Sequence, residues 1–128
     1  MNQFELKERF NASPQAVYDA WLDGDKHAAM TGGGASGKAV VGTEFTAWDG
    51  YISGKNIELE DGQRIVQEWR TTEFSEEDES SKIEVLLEEV EDGTELTLIH
   101  TNIPDGDADY ETGWVDHYFN PMKAYFGN

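Results

Sequence analysis

The run from Glu44 to Arg70, EFTAWDGYISGKNIELEDGQRIVQEWR, constrains the fold of this chain more than any other stretch. It reads as three strand-like segments of alternating character, broken by Asp49-Gly50 and Asp61-Gly62. Asp-Gly between such segments supplies the positive φ that hairpin turns demand, so each dipeptide predicts an antiparallel connection rather than a crossover. Asp92-Gly93 repeats the signal further on. Together they predict a meander of strands over 43–48, 51–59, 63–73, 81–90 and 94–103. The remaining link, 75–80 (SEEDES), carries no apolar residue and reads as a charged loop.

The N-terminal segment adds a sixth strand. In QFELKERFN, Phe4, Leu6 and Phe10 share one face and Gln3, Lys7 and Arg9 the other, with Glu8 falling on the apolar side. Ser13-Pro14 then reads as a serine N-cap followed by proline at the first helical position. Ala16, Val17, Ala20 and Trp21 recur at helical spacing, and the helix should stop near Asp23-Gly24. A second helical turn is expected over 26–30, followed by a loose glycine-rich connector over 31–42.

After Pro104 the pattern predicts a helix of roughly twenty residues, about 30 Å long, ending near Phe126. Its apolar stripe is Tyr110, Trp114, Val115, Tyr118, Phe119, Met122, Tyr125 and Phe126. Six antiparallel strands at about 4.8 Å spacing are of similar width, so one stripe can cover one sheet face. Pro121 has no N–H to offer the carbonyl of His117, which predicts a kink or an early end to the regular helix. The fold class expected is α+β: a six-stranded curved antiparallel sheet wrapped around a long C-terminal helix, with one or two short helices after the first strand.

Composition narrows the partners. Against 27 acidic residues stand 9 basic ones, a formal charge of −18 that repels phosphate backbones and anionic lipid surfaces. Nucleic acid is therefore excluded as a partner, and a basic protein partner or a salt-rich environment fits the charge. There is no cysteine, hence no disulfide framework or thiolate chemistry. No apolar run is long enough for a membrane span, and no signal peptide is visible, so a single cytoplasmic domain over 1–128 is expected.

Catalytic and metal motifs fail one by one. GGGASGKA at 32–39 matches a phosphate-cradling loop until Ala39, where a magnesium-ligating hydroxyl belongs, and it precedes strands rather than a helix. Asp105, Asp107 and Asp109 imitate the start of a calcium loop, but Tyr110 stands where the turn needs glycine; helix capping accounts for these acids. His27, His100 and His117 are scattered, with no second ligand at metal spacing. No catalytic residue, metal set or cofactor is assigned. A softer signal is polar residues on apolar strand faces: Glu8, Gln67 and His100. They either orient a ligand in a shared cavity or are satisfied locally.

The Phe45…Asp49-Gly50…Gly54 hairpin, the Ile65-Val66…Trp69-Arg70 strand and the Gly113-Trp114…Tyr118-Phe119…Phe126-Gly127 helix resemble one known family. It is the C-terminal domain of the activator of heat-shock protein 90 ATPase, within the START-like (SRPBCC, helix-grip) superfamily. The resemblance extends over almost the whole chain. It implies a sheet gripping the C-terminal helix with a hydrophobic cavity between them. Other members of the superfamily bind apolar ligands, and some are cyclases or isomerases. Three readings stay open. The first is a domain binding an apolar small molecule, with Trp48, Trp69, His100, Trp114, Tyr118 and Met122 as cavity lining. The second is a protein-binding module directed at a chaperone or another protein. The third is a cyclase- or isomerase-type enzyme using Glu8 or His100 as a base.

Overall fold

The computed structural model describes residues 2–104 and 109–127. Six strands form one antiparallel sheet in the spatial order β1-β6-β5-β4-β3-β2. They are β1 (Asn2–Phe10), β2 (Glu44–Ala47), β3 (Ile52–Glu60), β4 (Arg64–Thr71), β5 (Ser81–Val90) and β6 (Gly93–Ile103). The five C-terminal strands follow one another as the meander that the Asp-Gly links predict, and β1 closes the far edge on β6. Register keeps the alternation: Trp69 lies opposite Gly54 and Ser81, and His100 opposite Phe4 and Ile83. Gly54 is required by closeness rather than by turn geometry, since a Cβ there would collide with the Glu68 carbonyl and the Phe45 ring.

Two short helices cross from the first strand to the glycine-rich segment. Helix α1 (Pro14–Leu22) starts as expected, with the Ser13 hydroxyl accepting from Ala16 N–H at 3.2 Å. Asp23 ends it and at once caps α2 (Gly24–Thr31), accepting from Asp25 and Lys26 N–H. The following segment is better tied than its glycines predict. Ser36 exchanges two backbone hydrogen bonds with Thr46, Gly34 N–H donates to the Asp49 carboxylate, and the Asn56 amide donates to the Lys38 carbonyl. These bonds occupy N–H groups that a phosphate cradle would need free.

The C-terminal helix runs through three segments: α3 (Tyr110–Trp114), a π-helical turn (Val115–Phe119) and α4 (Asn120–Tyr125). Asp109 is its N-cap, accepting from the N–H and the hydroxyl of Thr112; Asp105 and Asp107 lie outside the described residues. The helix continues past Pro121, so the expected early end does not occur. The irregularity falls one turn earlier, where Asn120 N–H reaches back to the Val115 carbonyl. Widening the turn before a proline moves the preceding carbonyls off the register in which its ring would clash with one of them.

The core lies between this helix and the concave sheet face. Val17, Trp21, Ile65, Trp69, Val85, Leu96, Leu98, Trp114, Phe119 and Met122 are all buried in it. Glu8 is removed from the core problem by Lys123, whose ammonium sits 2.9 Å from its carboxylate and ties β1 to α4.

Candidate functional site

Two buried histidines organise the helix against the sheet, in opposite tautomers. The Trp114 indole N–H donates to His100 Nδ1 at 3.1 Å, so that nitrogen carries no proton. The proton of the neutral ring is then on Nε2, which donates to Ser81 Oγ at 2.7 Å, and the serine donates onward to the Trp69 carbonyl at 2.8 Å. Burial alone pushes the His100 pKa down to about 3. Both nitrogens are committed, which leaves His100 no lone pair with which to act as a base.

His27 works the other way round. Its Nδ1 lies 2.7 Å from the Trp21 carbonyl and must donate, so Nε2 accepts from the Tyr118 hydroxyl at 2.9 Å. Burial lowers its pKa too, and burial raises that of Tyr118. Trp21 continues the network: its indole N–H donates to Gln67 Oε1, and the Gln67 amide donates to Asn56 Oδ1 at 2.8 Å. Every polar side chain on this part of the sheet face has a named partner.

Beside this closed interior lies a pocket of about 560 Å³ between the sheet and the C-terminal helix. Trp48, Tyr51, Ile52, Trp69, Tyr110, Trp114 and Tyr118 form its apolar and aromatic wall, with His117 and Gly113 from the helix. The π-helical turn carries His117 and Tyr118 into that wall. The rings pack at angles: Trp69 stands edge-on to Tyr110 at 5.3 Å, and Trp114 is tilted against Tyr118 at 4.7 Å.

One end of the pocket is polar. The Tyr51 hydroxyl donates to the Glu73 carboxylate, and the Tyr110 and Thr71 hydroxyls are hydrogen-bonded at 2.9 Å. Desolvation first, and the Glu73 carboxylate second, push the Tyr51 phenol up to about 12, so it keeps its proton. Asp109 is held ionised by its Thr112 partners. Among the described residues no lysine or arginine lines the pocket. Arg70 is turned toward the 75–78 loop, donating to the Ser75 and Asp78 carbonyls.

Trp48 stands apart from the rest of the wall. Its backbone is left-handed at φ 50°, followed by Asp49 at 58° and Gly50 at 92°. That conformation is rare for a bulky residue and costs about 1–3 kcal/mol. The indole lies edge-on to His117 and over Gly33, where a Cβ would collide with it. Its Nε1 is buried without a hydrogen-bond partner, the one such side-chain atom among the described residues.

Of the six residues expected to line a cavity, the structure brings Trp48, Trp69, Trp114 and Tyr118 together around this pocket. His100 and Met122 lie elsewhere, fully buried in the packed core. Glu8 and Gln67 also take no part: one is paired with Lys123, the other bridges Trp21 and Asn56. Tyr51, Glu73, Tyr110 and His117 were not foreseen as lining. Tyr110 carried a signal, its place one turn before Trp114 on the helical stripe; Glu73 carried none. Among the described residues no group of acidic or histidine side chains is arranged to hold a metal ion, and no helix is long and apolar enough to cross a membrane.

Residues 11–127 match the model of the family described as activator of Hsp90 ATPase homolog 1-like protein. The chain belongs to this family. A Dictyostelium discoideum protein named activator of 90 kDa heat shock protein ATPase homolog is 32% identical over 126 residues, covering 95% of this chain and 32% of the relative. The human homolog 1 is 29% identical over 123 residues, covering 95% of this chain and 36% of its own length. The chain thus spans about a third of these curated relatives. Among solved structures, an HSP90 activator from Plasmodium falciparum superposes with a TM-score of 0.87 at 24% identity, covering 98% of this chain and 96% of that one. An Aha1 dimer from Colwellia psychrerythraea gives 0.81 at 21% identity, covering 98% and 96%. At these identities the two structures establish the START-like fold, which agrees with the six-stranded sheet and its C-terminal helix.

Proposed function

We propose that this domain binds a small, largely apolar ligand in the pocket between the sheet and the C-terminal helix, without catalysing a reaction on it. The observation that carries this reading is the pocket's size and wall: about 560 Å³, bounded by tryptophan and tyrosine rings from β4, α3, the π-helical turn and the turn at Trp48. Ligand pockets of small molecules are of this volume and this character, with few polar groups to fix orientation. Committed ring nitrogens at His100 and the ion-paired carboxylate of Glu8 speak against the cyclase or isomerase alternative.

Native mass spectrometry of the purified protein, and calorimetric titration with 2-naphthylmethanol as an apolar aromatic probe, test the proposal. Saturable one-to-one binding is expected. No adduct and no heat up to millimolar probe would remove the reading.

Relatives named as activators of the 90 kDa heat shock protein ATPase favour a second reading, a module that docks on a chaperone. The charge of −18 would then steer the domain toward a basic patch on its partner. Pull-down of a purified 90 kDa heat shock protein at low salt, lost at high salt, is the expected result. A chaperone ATPase rate unchanged by this chain and no retention at low salt would end it.

A further inference from the structure

The polar end of the pocket is negative, and its aromatic wall is of the kind that attracts cations. Among the described residues the lining includes two acidic residues, Glu73 and Asp109, both exposed, and no lysine or arginine. Among the described residues neither carboxylate is part of an ion pair. Glu73 accepts from the neutral Tyr51 hydroxyl, and Asp109 from the N–H and hydroxyl of Thr112. The same lining holds the rings of Trp48, Tyr51, Trp69, Tyr110 and Trp114.

An aromatic face attracts an ammonium group through its quadrupole, most strongly for tryptophan, and desolvation increases the effect. A carboxylate-headed ligand such as a fatty acid would meet the opposite conditions. It would lose water, approach two like charges and find no lysine or arginine to pair with. From this combination we infer that the ligand class of the pocket is a hydrophobic cation: an apolar, preferably aromatic body bearing an ammonium group, seated with the ammonium at the Glu73 and Asp109 end.

This inference rests on the pocket being a ligand site, and its test separates the two failures. Three probes share a naphthalene body and differ in the head: (2-naphthylmethyl)trimethylammonium, 2-naphthylmethanol and 2-naphthylacetate. Each is titrated calorimetrically into the full chain at about physiological salt, where the Debye length is about 8 Å and the diffuse field of the acidic surface is largely screened. The ammonium probe is expected to bind at least tenfold tighter than the alcohol, and the carboxylate weakest. Glu73→Gln keeps an acceptor for Tyr51 and removes the charge. It is expected to cut the ammonium-to-alcohol preference at least threefold. Glu88→Gln, an exposed position on β5 outside the lining, removes one charge from the same surface and should leave the preference unchanged.

Equal binding of the three probes overturns the cation preference and leaves the ligand site standing. So does a preference that Glu73→Gln and Glu88→Gln reduce equally, since it would belong to the global charge. No binding by any probe overturns both. The head-group order in the unaltered protein decides the matter even if Glu73→Gln fails to fold.

Discussion

The two ends of the sheet–helix interface are built by different rules. At one end Phe10 packs edge-on against Phe119 and Phe126 at about 6 Å, with Met122 and Val17 beside them at full burial. Among the described residues no buried polar side-chain atom there is left unpaired. At the other end Trp48, Tyr51, Trp69, Tyr110 and Trp114 surround space instead of filling it, and that end holds the strained turn and the orphaned indole N–H. The same kind of residue thus serves packing in one place and a cavity wall in the other. What differs is whether the facing rings meet one another or border open space. One end supplies stability and the other tolerates its loss, as expected of sites where strain persists because the surroundings hold it.

If that division is real, truncation at the filled end must cost far more than truncation at the open end. Phe119→Ala removes a ring that is 2% exposed and leaves a hole against Phe10. The expected loss is about 3–5 kcal/mol in urea or guanidinium unfolding, with the slope of the transition unchanged. A loss below about 1 kcal/mol would mean that the filled end is not filled.

Acid should attack the interior through its two histidines. Both are held neutral by burial in the folded state and are free to charge once unfolded. Their stabilisation is therefore complete above about pH 6.5 and is lost as the pH falls below it, down to about 3 for His100. The slope for His100 approaches about 1.4 kcal/mol per pH unit only well below pH 6.5, so it loses about 1 kcal/mol between pH 6.5 and 5.5, and His27 adds to the loss in the same direction. Protonating His100 also turns Nδ1 into a donor facing the Trp114 N–H, which aims two donors at one another. His100→Leu should lower stability at pH 7 by about 1–3 kcal/mol, since it strands that indole, and should reduce the acid slope. Unfolding midpoints across pH 7 to 5.5 for both proteins check this; equal slopes would show that the ring is not held neutral.

How much of this was legible beforehand follows from what a sequence pattern encodes. Alternation and Asp-Gly pairs specify faces and turns, so the meander, its strand bounds and the serine cap at Ser13 could be read directly. Faces do not specify gaps. Trp69 and His100 both point inward from neighbouring strands, yet one borders the pocket and the other is sealed behind Ser81 and Trp114. That outcome depends on how far the helix stands off the sheet at each point, a sum over many side chains. His27 read as an isolated histidine on a short helical turn because its partners, Trp21 and Tyr118, lie 6 and 91 residues away. Pro121 announced a disturbance correctly, but its form, a π-helical turn one step earlier, is not specified by the residue pattern. The left-handed backbone at Trp48 had no signal at all, since an aromatic residue closing a strand pattern normally stays extended.

Trp48 gives the smallest stability effect and the sharpest contrast between the ends. Glycine at this position adopts φ 50° without strain, which recovers about 1 kcal/mol, and the orphaned N–H disappears with the ring. Against that stands the lost packing of a half-buried indole over Gly33 and beside His117. The opposing contributions are of similar size, so Trp48→Gly should change the unfolding free energy by no more than about 1 kcal/mol in either direction. Its effect on the pocket is not balanced in this way, because a whole wall is gone: affinity for the naphthyl probes should fall at least tenfold. A tryptophan whose removal costs several kcal/mol while probe binding is unchanged would belong to the filled end after all. One that costs little and abolishes binding is retained for what it touches in the pocket, and its strained backbone is then the means of holding it there.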